Sequence, residues 1–180
     1  YHIIEFWIKD AFGGLEYDRF LASLPEYQKD TLRPGWYRDF AGFLMTEPIL
    51  EQANDGTYTS AFYGRGYNDW LFSEYIDYTP GSPRTRKNGP AETVAKELVY
   101  ENIGADAGVD SGGQSRVRPG LQIEPDAATG ATWNAQRSRK LLGDVLMEVA
   151  DVGPGDFGIV QVADAQFEFQ WRYPHWGLDK

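Results

Sequence analysis

Cysteine is absent from the 180 residues. That excludes a disulfide framework, thiolate metal sites and a cysteine nucleophile, and it leaves the redox compartment open. Histidine is scarce, with only His2 and His175, so a His-based triad or metal site has little to build on. Basic side chains are outnumbered, 17 against 27 acidic ones, for a net charge of -10. Binding a phosphate backbone as the main role needs the opposite balance. No apolar run approaches the ~18 residues of a membrane-spanning helix, so no membrane insertion by this segment is expected. What the chain does have is 42% apolar residues and 15% aromatics, too many for a disordered polypeptide. Its length suits one domain or two small ones, with a respectable core.

Residues 1–78 read mostly as strand. Ile4, Phe6 and Ile8 alternate with Glu5 and Trp7 until Asp10-Ala11-Phe12-Gly13-Gly14 breaks the run. Leu15 to Leu32 is ambiguous, since Pro25 would stop a helix there. After the Pro34-Gly35 turn, Trp36–Leu44 and Pro48–Glu51 suggest one long, bent strand with a bulge at Gly42. Asn54-Asp55-Gly56 signals a hairpin, because these residues tolerate positive φ. Thr57–Tyr63 is the return strand, ended by Gly64-Arg65-Gly66, and Tyr67–Phe72 reads as one or two helical turns.

The polar stretch Thr79–Gly89 reads as a loop and the best boundary. Lys and Arg against Asp and Glu give -7 for residues 1–78 and -3 for 79–180. Pro90 fits a first helical position, Ala91, Val94, Ala95, Leu98 and Ile103 keep helical spacing, and Gly104 closes the helix. A Gly-rich loop leads to Pro119 and a short strand, Leu121-Gln122-Ile123. A second helix is expected after Trp133-Asn134, with Ser138, Leu141, Leu142, Val145, Leu146 and Val149 in one stripe. Gly153-Pro154-Gly155 ends it. Strands Phe157–Val162 and Gln166–Tyr173 follow, and in the last Phe167, Phe169, Trp171 and Tyr173 alternate with Glu168, Gln170 and Arg172.

Several fragments imitate catalytic signatures without their context. Asp110-Ser111-Gly112-Gly113 has the letters of a serine-protease nucleophile segment but lacks a histidine in a suitable setting, and reads as a polar loop. Gly153-Pro154-Gly155-Asp156-Phe157-Gly158 spells a dinucleotide fingerprint, yet it follows a helix and opens a strand, the reverse of what phosphate binding requires. Its Asp156-Phe157-Gly158 triplet has no kinase catalytic loop to serve. Glu92, Glu97 and Glu101 share a helix and raise a glycosidase pair; a solvated face explains them. The acidic loop Asp106–Asp110 lacks the ligand pattern of an EF-hand. His175 reads as structural, and the six Trp residues as core or interface before sugar platform. The expectation is no catalytic, cofactor-binding or metal residues: not an enzyme.

Asn88–Gly104 resembles a helix of tailed-phage tail proteins, the hub or tail-tip proteins of siphophages, a family related to the baseplate hub of contractile-tailed phages. The order of other segments agrees: the Phe40–Glu51 strand, the Asn54-Asp55-Gly56 hairpin, Tyr63-Gly64-Arg65-Gly66 and the short helix at Trp70-Leu71. Leu121-Gln122-Ile123, Arg139–Leu146, Asp156-Phe157 and Phe167-Glu168-Phe169 continue it. The resemblance implies an α+β fold, mainly antiparallel β: a tail-tube-type β-barrel over 1–78 and an αβαββ insertion domain over 79–180. Because such proteins continue further, the chain is expected to be truncated at its C-terminus.

The implied function is that of a structural virion protein in the tail tip or baseplate hub. It would form a ring, usually a homotrimer, that continues the tail tube. Implied partners are other copies of itself, tail-tube and tail-tip proteins, the tape-measure protein, and DNA only in transit; the implied location is the virion tail, assembled in the host cytoplasm. The acidic first part would line the channel and repel the passing polyanion, with Arg84, Arg86 and Lys87 outside. Two alternatives stand beside it. One is a carbohydrate-binding module or glycosidase fragment, and the other a hub component of a bacterial injection machine.

Overall fold

The computed structural model describes residues 2–9, 36–45, 49–52, 56–61, 63–76, 85–110 and 112–174. Two compact units divide between Tyr67 and Asn68, ahead of the composition shift at Thr79. The expectations for Asp10–Gly14, Leu15–Leu32 and Pro34-Gly35 lie outside the described residues, as do Asn54, Asp55, Thr79–Arg84, Ser111 and His175.

The described elements of the first unit are all strands. β1 (His2–Lys9) runs antiparallel to β2 (Trp36–Leu44) along its whole length. The register slips between Phe6 and Trp7, whose partners are Phe40 and Arg38. The irregularity is therefore not at Gly42, which sits in regular ladder between Ile4 and Gly66. β3 (Ile49–Gln52) and β4 (Tyr58–Ala61) form a separate antiparallel hairpin, and Gly56 in its loop takes φ +86°. That pairing realises the expected hairpin.

Two expectations are corrected here. Trp36–Glu51 is not one bent strand, because β2 and β3 belong to different sheets. Gly64-Arg65-Gly66 does not merely end the return strand; it forms β5 (Gly64–Gly66), which pairs with the end of β2. Met45 N–H donates to the Tyr63 carbonyl at 2.9 Å and extends that pairing. Phe43 is buried and meets Tyr67 edge-on, with ring centres 5.2 Å apart.

The second unit opens with the one-turn helix α1 (Asp69–Phe72), as expected. Strand β6 (Thr85–Pro90) and helix α2 (Ala91–Asn102) follow, then β7 (Leu121–Ile123) and β8 (Thr132–Arg137). Helix α3 (Leu142–Val152) and the hairpin β9 (Asp156–Ala163) and β10 (Gln166–Arg172) complete it. β10 lies between β7 and β9, parallel to the first and antiparallel to the second; β6 pairs antiparallel with β8. The fold is α+β with mostly antiparallel strands in open sheets, and no closed barrel occurs among the described residues.

The expected αβαββ order over 79–180 is thus incomplete. Thr85–Gly89 is strand and not loop, and Trp133-Asn134 lies within β8, so the second helix starts only at Leu142 and Ser138 is outside it. Pro90 is the residue before the first turn of α2, not in it. The apolar stripes behave as their spacing demands: Val94 and Leu98 from α2, Ile103 just beyond its end, and Leu142, Val145, Leu146 and Val149 from α3 are fully buried. Phe167, Phe169 and Trp171 supply the inward face of β10, while Tyr173 is exposed. Free N–H groups at the helix starts are met by backbone instead of capping side chains. Ala91 and Glu92 donate to Ala131 and Thr129, and Leu142 donates to Glu74.

Candidate functional site

Helix α2 carries charge into the interior of the second unit. Glu92 and Lys96, one turn apart, are only 3% and 4% exposed. Lys96 Nζ donates to Glu92 Oε1 at 2.5 Å and to the Pro125 carbonyl at 2.7 Å, and stands 3.3 Å from Glu124 Oε1. The other donors on Glu92 come from the segment after β7: Ala127 N–H on Oε1, and the Thr129 N–H and hydroxyl on Oε2. Glu124 in turn accepts from the Trp171 N–H and pairs with Arg172 at 2.8 Å. Burial alone would raise the Glu92 pKa, but the Lys96 ammonium, the Thr129 hydroxyl and the two N–H groups overcome it and hold the carboxyl at about 2. So poised, Glu92 stays ionised near neutrality and exchanges no proton. The cluster works as a clamp, fastening residues 124–129 and the end of β10 to α2.

A second cluster ties the loop after α2 to the segment after α1. Arg118 pairs with Glu74, and Arg116 reaches Glu74 at 3.5 Å, the Tyr75 carbonyl and Asn102 Oδ1 at 3.4 Å. Asn102 donates back to the Leu98 carbonyl at 2.8 Å.

Around α3 two concavities of opposite charge lie side by side. One, of about 360 Å³, is lined by Gln136, Arg137, Ser138 and Lys140. The other, of about 470 Å³, is lined by Asp144, Met147, Asp151 and Phe157 among others. Glu148 is their seam: it lines the acidic one and accepts from Arg137 Nε at 2.7 Å and Lys140 Nζ at 2.8 Å. Lys140, and after it Arg137, hold the Glu148 carboxyl below its usual range against a smaller upward push from burial. Arg137 also lies over the Trp133 ring, 5.4 Å from its centre.

The sequence fragments with catalytic letters take structural parts. Asp110 Oδ1 accepts from Gly112 N–H at 2.8 Å and Gln114 N–H at 2.9 Å, closing a tight turn. In the fingerprint-like segment, Gly153 is pressed against Ala91 and Gly155 against the Trp171 ring. Glu97 and Glu101 converge on Lys87, at 3.0 and 2.5 Å. Glu92 departs from the expected solvated face, and the burial of Lys96 beside it has no signal in the sequence beyond the one-turn spacing. No cluster of three metal-ligating side chains occurs among the described residues. Trp70, Trp133 and Trp171 are buried and offer no sugar platform; the Trp36 side chain lies outside the described part.

Comparison of the chain with protein-family models, curated proteins and solved structures finds no match.

Proposed function

We propose that this chain is a structural subunit of a phage tail tip or baseplate hub, forming a ring that continues the tail tube. The observation that carries the reading is the order of elements. An antiparallel β unit with the β3–β4 hairpin precedes the short helix at Trp70-Leu71, and α2, β7, α3 and the β9–β10 hairpin then follow in the order the resemblance implies, with β6 and β8 added to it. In this reading the strands of the first unit belong to a tube-type barrel. Closing a sheet removes the exposed edges that otherwise invite aggregation. The role requires shape and contact surfaces and no catalytic group.

The acidic excess of residues 1–78, net -7, supports a channel wall that repels DNA and lets it slide. Cryo-EM of a particle carrying the full-length protein tests this. The expected result is a closed ring coaxial with the tail tube, with Asp and Glu of residues 1–78 on its inner wall. An off-axis position or a basic inner wall overturns the reading, as does hydrolytic activity in residues 1–180 alone.

A further inference from the structure

We propose that the open edge of β9, with the concavity where its start meets α3, docks an extended segment of a partner protein in which two basic side chains flank an apolar one. The Ile159 N–H points away from β10 and reaches Asn68. Backbone groups two residues apart in a strand face the same way. The N–H and C=O of Phe157 therefore lie on this edge too, nearer the start of β9 than the cover Asn68 gives. β9 has no second partner among the described strands, and an uncovered edge is a template for a further strand.

The concavity of about 470 Å³ adjoins that stretch of edge. Asp156 and Phe157, the first two residues of β9, line it together with Met147 and Ala150 of α3. Phe157 stands opposite Trp171 and its ring centre is 6.3 Å from that of Phe169, so its side chain is on the same sheet face as those buried rings. An antiparallel strand that exchanges backbone hydrogen bonds with Phe157 places the residue opposite it on that face as well. Its side chain then meets Met147, which is 46% exposed, and the half-buried Phe157 ring.

Charge selects the occupant. Among the described residues no Lys or Arg lines this concavity. Asp144 and Asp151, which do, are exposed and have no ion-pair partner among the described residues, whereas Glu148 is already held by Arg137 and Lys140. The two aspartates are seven residues apart on one helix face, about 10 Å along α3. On an extended segment, the side chains two before and two after the apolar one share its face and stand about 13 Å apart, a span from which two Lys or Arg side chains reach both acids. Two copies of this chain joined edge to edge through β9 would instead bring like acids together, which opposes pairing. The inference does not rest on the tail reading.

The probe is the peptide acetyl-Thr-Lys-Thr-Val-Thr-Lys-Thr-amide, titrated into the full chain at low ionic strength and followed by NMR. The expected result is saturable binding that shifts the Met147 methyl, slows exchange of the Phe157 amide hydrogen about fivefold or more, and weakens with added salt. Asp144→Asn/Asp151→Asn should weaken binding about tenfold or more. Methylating the Val amide nitrogen of the peptide should do the same, because it removes the bond to the edge and leaves both charges in place. Failure of the Lys peptide to bind overturns the inference, as does equal binding of a peptide with Glu in place of both Lys. So does binding that survives methylation or leaves the Phe157 exchange rate unchanged, since the edge is then not the site. Self-association of the chain through β9, seen as Phe157 protection that grows with protein concentration alone, would name a second copy as the occupant and equally overturn it.

Discussion

Gly153, just beyond the end of α3, lies directly against Ala91, the first residue of α2. A Cβ on Gly153 would fall 2.2 Å from the Ala91 Cβ and 3.3 Å from the Val149 carbonyl oxygen. The two helices come together there because one partner has no side chain and the other only a methyl. Ala91 is fully buried, so it cannot swing aside. A segment whose letters match a phosphate-binding loop is therefore a packing device.

Gly153→Ala should accordingly destabilise the protein by ~1–3 kcal/mol, the usual cost of overpacking a close contact. Gly108→Ala is the control, because nothing lies within 4 Å of its Cβ position. Urea denaturation of both variants checks this. Equal midpoints would mean that the helices separate at no cost.

The Glu92 clamp makes stability depend on acid. Its carboxyl falls from an ordinary 4.5 to about 2 in the folded protein. A depressed pKa contributes stability that is full above the unfolded value and lost as pH drops through the folded one. Between pH 5 and pH 2 Glu92 should thus cost the fold ~3 kcal/mol, at about 1.4 kcal/mol per pH unit. Chemical denaturation across that window should show Glu92→Gln to be far less acid-dependent than the parent.

Lys96→Met tests the same clamp from the other side. It leaves the buried Glu92 without its cation and also removes a neighbour of Glu124. Removing one member of a buried pair costs ~3–5 kcal/mol. The acid limb should also move to higher pH, because Lys96 is the strongest of the groups holding the Glu92 pKa down. A loss smaller than about 1 kcal/mol, the size typical of exposed pairs, would show that the clamp is solvated.

The parts of the fold that were legible in the sequence are those in which one element carries its own signal. Val94 and Leu98, or Val145, Leu146 and Val149, mark a buried helix face by spacing alone, and the alternation from Phe167 to Trp171 marks a one-sided strand. β6 and β8 have no such signal. Thr-Arg-Lys-Asn-Gly-Pro is polar throughout, and it becomes strand only because residues 132–137, remote in sequence, pair with it. The clamp was hidden for a related reason. An acid and a lysine one turn apart ordinarily face water, and only the fold of residues 124–129 over α2 buries them. The opposite charges flanking α3 come from the end of β8, the turn after it and α3 together, so no single stretch of sequence announces them.

Asn68 supports a last prediction, about a sheet edge. β9 pairs only with β10 among the described strands, which leaves its other edge open. On that edge the Ile159 N–H donates to Asn68 Oδ1 at 2.7 Å. Asn68 precedes the first turn of α1, where such a side chain ordinarily caps the helix, yet it makes no cap bond. Its oxygen is committed to β9 instead, where it stands in for a neighbouring strand. Because Ile159 is only 6% exposed, removing the acceptor leaves a buried donor unsatisfied, at a cost of ~1–3 kcal/mol. Asn68→Ala should show that loss, faster exchange of the Ile159 amide hydrogen, and a greater tendency to associate through the uncovered edge. Asn68→Asp keeps an oxygen in place and should retain both stability and exchange protection. If the aspartate variant fails as badly as the alanine one, the bond to Ile159 is not what Asn68 contributes. If neither variant changes the Ile159 exchange rate, the edge is protected by something other than this side chain.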